Sequence, residues 1–431
     1  MNVSTETLAS KLQRELGTQA VIVDADLLAR YAVEAQTPKV LCFPSSPDEI
    51  AAALRICNEA RASVLPWGGG TAMALGNLPH SVDVVIALNR LERLLEHDDA
   101  NLTATVQAGM KLANLQEQLK QRNQFLALDP ARPTRATVGG IVAANANGPR
   151  RMLYGGVRDL VIGMKAILAS GEEIKSGGKV VKNVAGYDLC KLFVGSLGTL
   201  GIITEVTFKM MPLPETAATF IAQGTLDECI KLADSTFASM LLPAAITLFN
   251  AKAASAQGFQ KDEAAVAVWF EGFAQAVERE LCDVELLARP SGLAVEVLRG
   301  DRHDGFWRRV CEFGTEESNV FYRLTVPLGA VGGMVAALEG ANDVCLIAHA
   351  GSGTILLEMK ATGEAIERHA KLIERAKEVG GHVMLAAAPP ALKKNIDVWG
   401  PAPPSVVLMR EIKARFDPAG LLNPGRFLSA I

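Results

Sequence analysis

From Asp129 to Asp159 the chain reads DPARPTRATVGGIVAANANGPRRMLYGGVRD, a stretch of glycine, alanine and small polar residues that leaves its backbone N–H groups uncovered. Such a stretch folds against something that comes close to the backbone, either an anion or a neighbouring element. Within it, Thr137-Val138 precede the doublet Gly139-Gly140, and Ala143, Ala144, Asn145, Ala146 and Gly148 follow. A second cluster lies upstream, where the apolar run Val64-Leu65-Pro66-Trp67 ends in Gly68-Gly69-Gly70-Thr71, as a loop around a phosphate requires. Read singly, the triplet is a flexible turn and the Ala/Gly tract a closely packed helix; together they point to a bound dinucleotide. Two common signatures are excluded, because no Lys-Ser/Thr follows Gly70 and Gly195-Ser-Leu-Gly198-Thr-Leu-Gly201 is spaced GxxGxxG rather than GxGxxG.

A chain of 431 residues is long for one core, so two domains are expected. With 49% hydrophobic and 21% charged residues it reads as a soluble globular protein. Its net charge of −4, without a basic block, excludes nucleic acid as a partner. The start MNVSTETLASKLQREL is polar with helical spacing and lacks the features of a secretion signal, which predicts a cytoplasmic protein. No run reaches the roughly 20 apolar residues of a membrane span, so membrane contact is expected only through partners. The seven cysteines, Cys42, Cys57, Cys190, Cys229, Cys282, Cys311 and Cys345, form no CxxC pair and predict no iron–sulfur or zinc site.

Taken in order, Lys39–Phe43 predicts a buried strand and Ser46-Pro47 the start of a helix, with Glu49 completing a capping box. Strands follow at 63–66, 82–88 and 102–107, with 89–99 connecting the last two, then a helix over 111–122. A hairpin turns at Ser170-Gly171-Glu172, and a strand over 201–210 closes the first domain at the linker 211–214. Residues 216–384 alternate strand-like and helical runs, an α+β pattern. The Pro-rich tract 388–404 leads into a helix over 405–416.

The series PWGGGT, ATVGGIVAAN, YGGVRDLVIGMKAIL, KNVAGYDLCKLFVGSLGTLGIITEVTFK and LMREIKARFDPAGLLNPGRF resembles the FAD-binding family of vanillyl-alcohol oxidase and p-cresol methylhydroxylase. Within that family it is similar to the FAD-binding accessory subunits of bacterial glycolate oxidases, densely over 40–214 and more weakly after 346. The resemblance implies an α+β fold: a two-lobed FAD-binding domain (1–214), a smaller α+β cap (215–387) and a C-terminal segment (388–431) returning to the flavin. It implies a pyrophosphate site at Pro66, Trp67, Gly68, Gly69, Gly70, Thr71, Thr137, Val138, Gly139, Gly140, Ala143, Asn145 and Gly148, with Pro130 as a further cofactor-binding residue. Tyr154, Gly155, Gly201 and Ile202 would lie along the rest of the cofactor, and Asn423, Gly425 and Arg426 beside its ring. Arg132, Arg135, Arg150, Arg151 and Arg158 add positive charge nearby, either for the cofactor or as a solvated cluster.

Some relatives bind flavin covalently through a histidine beside the first glycines; Thr71 stands there, so the FAD is expected to be noncovalent. Relatives that oxidise D-2-hydroxy acids carry HGDGNLH and EHGIG as metal and acid/base motifs. The matching stretch, His349-Ala-Gly351-Ser-Gly353-Thr-Ile355, keeps only the first histidine, and Met384–Ala388 contains no Glu-His-Gly. One histidine holds no metal, so His349 is expected to be a hydrogen-bonded core residue and the catalytic residues stay unassigned. Lys182, Tyr187 and Asp188 are candidates for a replacement base or for a helix-capping loop. Three functions stay open: an FAD subunit relaying electrons beside a catalytic FAD subunit and an iron–sulfur subunit in glycolate oxidation, a self-sufficient FAD-dependent 2-hydroxy-acid dehydrogenase, and a noncatalytic assembly subunit with structural flavin.

Overall fold

The first strands are β1 (Val21–Ile22), β2 (Val40–Cys42), β3 (Val64–Trp67) and β4 (Val84–Ala87), which form one sheet in the order β1-β2-β4-β3. The computed structural model describes residues 5–178, 188–315, 319–339, 344–361, 365–394 and 396–431. β2, β4 and β3 run parallel, and β4, VVIA, is buried along its whole length, as a central parallel strand must be. β3 is the edge strand, which tolerates Pro66. The returning C-terminus docks on that edge: Val64 N–H donates to Leu421 O, and Val64 O accepts from Asn423 N–H. Pro66 offers no N–H, so the pairing stops where the glycine loop begins.

The helix Pro47–Ala60 starts at Ser46, whose hydroxyl accepts from Glu49 N–H. The expected capping box is altered, because the Glu49 carboxylate takes the N–H and hydroxyl of Ser45 instead. β5 (Leu94–Asp98) forms within the expected connection 89–99; its side chains are half-buried or exposed and show no apolar alternation. With β6 (Thr103–Gln107), β8 (Val161–Ile167), β9 (Glu173–Gly177) and β10 (Ile202–Lys209) it makes an antiparallel sheet in the order β5-β6-β10-β8-β9. The segment read as a linker starts with β11 (Met211–Pro212), paired to β7 (Gln124–Phe125). One hydrophobic core spans both sheets, from Leu8 to Met210, and takes in Leu422.

The cap is an eight-stranded antiparallel sheet of β12 (Thr216–Gly224), β13 (Ala245–Phe249), β14 (Ala264–Gly272), β15 (Ala294–Arg299), β16 (Asn319–Thr325), β17 (Cys345–His349), β18 (Thr354–Lys360) and β19 (His382–Ala387), in the order β15-β12-β14-β13-β17-β18-β16-β19. β14 shows how it is built, with Val266, Val268 and Phe270 entering one core and Ala265, Ala267 and Trp269 the other. The period of two splits the strand between faces. Helices Leu226–Ala238 and Ala274–Ala288 cover the first face, and helix Gly300–Cys311 part of the second. The helix Arg151–Tyr154, which follows the glycine tract, meets the rest of that second face near β13 and Gly351.

Candidate functional site

A crevice opens at the carboxyl end of β3. It is lined by Pro66, Gly68, Met73, Gly139, Gly140, Ala143, Gly198, Gly201, Asn423 and Arg426 among others. The N–H groups of Gly68, Gly69, Gly70, Thr71 and Gly140 donate to no protein acceptor among the described residues. Thr137 Oγ1, Asn423 Oδ1 and Arg426 Nε are buried without a partner around the same space. A Cβ on Gly140 would project beside the crevice with only Thr137 Oγ1 near it, at 3.1 Å, while one on Gly68 would strike that oxygen at 2.2 Å. Unpartnered donors facing a space that side chains would fill make a site for an anionic group.

Not every residue picked from the sequence lines this space. Trp67 turns its ring to Tyr31, at 4.8 Å between centroids. A Cβ on Gly69 would meet the Arg135 carbonyl at 1.8 Å, so that glycine serves loop packing as well as its free N–H. Val138 and Ile202 are core residues, and Asn145, left-handed at φ 48°, closes its helix and accepts from Asn147 Nδ2. Tyr154 packs edge-on to Phe125 at 5.6 Å. Gly155 and Gly425, both at positive φ, fold against Asp159 and His80. Gly70, Thr71, Pro130 and Gly148 line the wider cavity described below, Gly148 with its Cα tight against Asp129. Gly198, set aside with its GxxGxxG run, faces the crevice from a left-handed turn against Pro66.

The five flanking arginines separate. Arg150 forms a bidentate pair with buried Glu271 of the cap, at 3.1 and 2.8 Å, and lies over the Trp269 ring at 4.4 Å. Asp129 accepts from its N–H, and burial pushes the Asp129 carboxyl up to about 6. Arg158 holds the Lys191 carbonyl, and Arg132 reaches Thr315 O at 2.5 Å. Only Arg132 and Arg151 border the cavity. Arg426 acts as a clamp: its guanidinium donates to the carbonyls of Met73, Leu75 and Asn77, and lies 3.9 Å from Glu34. Glu34 also pairs with Lys393, fully buried and bonded to Ala74 O and Gly76 O.

The crevice leads into a cavity of about 480 Å³ between the glycine-rich segments and the second face of the eight-stranded sheet. Arg323 of β16 and Arg151 line it, near enough for the Arg151 charge to disfavour that of Arg323. Burial first, then Arg151, holds Arg323 below its ordinary pKa. Among the described residues neither guanidinium has an acidic partner. His349 also lines the cavity, with Nδ1 2.9 Å from Thr247 Oγ1. The expected hydrogen-bonded core histidine is therefore found, but on the cavity wall. Burial, with the Arg323 charge adding to it, pushes His349 down to about 4 and keeps the ring neutral near pH 7. No group of three His, Cys, Asp or Glu among the described residues could hold a metal ion. Lys182 and Tyr187 lie outside those residues; Asp188 sits 3.9 Å from Lys191.

Sequence and structure comparisons agree with this geometry. A family model described as an FAD binding domain matches residues 38–177. The chain is 31% identical to the glycolate oxidase subunit GlcD of Bacillus subtilis, covering 91% of this chain and 89% of that protein. It is 28% identical to the D-lactate dehydrogenase of Archaeoglobus fulgidus, covering 90% of each. The fold is that of p-cresol methylhydroxylase with substrate bound, at TM-score 0.74 and 16% identity over 98% of this chain and 96% of that one. The cofactor is FAD. The free N–H groups, with the Thr137 hydroxyl and Arg426 Nε as further donors, fit its pyrophosphate, which the loop Gly68–Thr71 and Gly140 would hold; Asn423 Oδ1 is an acceptor and suits a donor group instead. No described helix is long and apolar enough to cross a membrane.

Proposed function

The chain belongs to the family of FAD-linked oxidoreductases that includes the glycolate oxidase subunit GlcD and D-lactate dehydrogenase, and on that premise we propose that it oxidises a 2-hydroxy acid to the 2-oxo acid as a single-chain dehydrogenase. The observation that carries this reading is the pair Arg323 and Arg151, without acidic partners among the described residues, beside neutral His349. A carboxylate suits Arg323, since a guanidinium gives two parallel charge-assisted hydrogen bonds. Binding would also cancel the Arg323 charge, the second cause of the low His349 pKa, and so strengthen the base as substrate arrives. With Nδ1–H donating to Thr247 Oγ1, Nε2 is free to take the hydroxyl proton. Bound FAD supplies the two-electron acceptor for the hydride leaving Cα.

The test is anaerobic mixing of the purified yellow chain with 2-hydroxy acids, followed by the loss of flavin absorbance. Bleaching within turnover time, without added protein or metal, is expected; bleaching only after a partner subunit is supplied would overturn the single-chain reading. A second reading, an FAD subunit beside a catalytic subunit and an iron–sulfur subunit, is favoured by apolar side chains left open on the cap: Met240 at 93%, Phe273 at 75% and Leu242 at 68% exposure. Purification from the native host with co-eluting iron–sulfur absorbance would support that reading.

A further inference from the structure

We propose that the substrate is a 2-hydroxy acid with a branched or aromatic apolar side chain rather than glycolate. This inference rests on the 2-hydroxy-acid reading above and specifies the group on the α-carbon. In the cap sheet Arg323 stands directly opposite Leu356 on one side and Met384 on the other. Phe321, two residues along the same strand, shares its face. Directly opposed residues have Cβ atoms about 4.5–5.5 Å apart, so any anion on the Arg323 guanidinium lies against these side chains. All four residues line the cavity, and Phe321, Leu356 and Met384 are half-buried, with surface left for a ligand. Phe313 extends the wall, its ring 6.1 Å from that of Phe321.

The polar groups lie at the other end. His349 is opposite Thr354, which is opposite Thr325. A bound acid therefore has its carboxylate at Arg323, its hydroxyl toward His349 and its side chain along Phe321 and Met384. Glycolate has no side chain and would leave that wall facing water. The far carboxylate of a dicarboxylate would run along that apolar wall, a costly place for a charge unless it reached Arg132, which Thr315 O holds at the edge of the same cavity.

The experiment measures kcat/KM for the holo-protein with an artificial acceptor and six substrates: glycolate, both enantiomers of lactate, 2-hydroxy-4-methylpentanoate, 3-phenyllactate and 2-hydroxyglutarate. Each early added carbon is expected to raise kcat/KM roughly 10-fold, so that the methylpentanoate exceeds glycolate by at least about 100-fold. Met384→Thr, at unchanged flavin content, is expected to narrow that ratio. Equal or higher kcat/KM for glycolate would overturn the inference and leave the wall as a neighbour of the flavin, while 2-hydroxyglutarate as the fastest substrate would overturn it in favour of a second anion subsite. Bound flavin that no 2-hydroxy acid reduces would overturn the underlying reading and this inference together.

Discussion

Arg426 and Arg323 are both drawn out of water at the edges of the FAD site, and their surroundings are opposite. Arg426 is 3% exposed and spends its donors on three loop carbonyls, with Glu34 beside it. Arg323 has no acidic partner among the described residues and faces a cavity. A buried cation whose charge has a carboxylate beside it holds structure together even with one donor, Arg426 Nε, left over; one without an acidic partner is open to a ligand, because desolvating a charge without compensation is otherwise too costly.

The largest expected effect lies on the paired side. Arg426→Met should lower the stability of the folded chain by about 3–5 kcal/mol, by leaving Glu34 without one of its cations and three carbonyls unbonded. Chemical denaturation checks this, and an unchanged midpoint would remove the distinction between the two arginines. Gly140→Val places a branched side chain where the pyrophosphate lies, so flavin should be lost on gel filtration. The protein should then melt as the apo form, without the roughly 2.7 kcal/mol that a ligand at 100 times its Kd contributes.

Arg323→Leu is the counterpart of Arg426→Met. It should leave flavin content and melting temperature near wild type and lower kcat/KM by about 100-fold, the loss of one carboxylate contact of roughly 2.7 kcal/mol. If it destabilises the chain as strongly as Arg426→Met, Arg323 is structural too.

A smaller effect concerns pH. His349 is held at about 4 in the folded chain, below its unfolded value near 6.5. Its contribution to stability is complete above pH 6.5 and is lost as pH falls toward 4, by about 1.5 kcal/mol between pH 6.5 and 5. Asp129, raised to about 6, acts in the opposite sense and favours folding as pH falls through that window. The His349→Asn slope minus the wild-type slope isolates the histidine, and equal slopes would place His349 in water. The smallest effect should come from acid precipitation, which ought to release all the yellow colour, since Thr71 offers no attachment point; colour left in the pellet would point to a covalent bond.

The small-residue runs Gly68–Thr71 and 137–148 were legible in the sequence, because a phosphate site built from backbone needs small residues in contiguous runs; the return of Asn423 and Arg426 was expected only from the resemblance. The purpose of individual glycines was not. Gly69, Gly155 and Gly425 are small because Arg135, Asp159 and His80 press on them, whereas Gly140 faces the crevice. β5 escaped notice because its side chains carry little apolar alternation.

By itself, then, the sequence determined the fold type and the small-residue loops that line the crevice. Tertiary structure decided which charges are paired. Arg323 looks like any strand arginine until β18 and β19 flank it with Leu356 and Met384 and the FAD-binding domain brings Arg151 up to it. His349 reads as a remnant until the same docking places it on the cavity wall with Thr247 at its back. Backbone donors are set by local residue size, whereas burial without a partner depends on everything that packs around a side chain, and those neighbours come from hundreds of residues away.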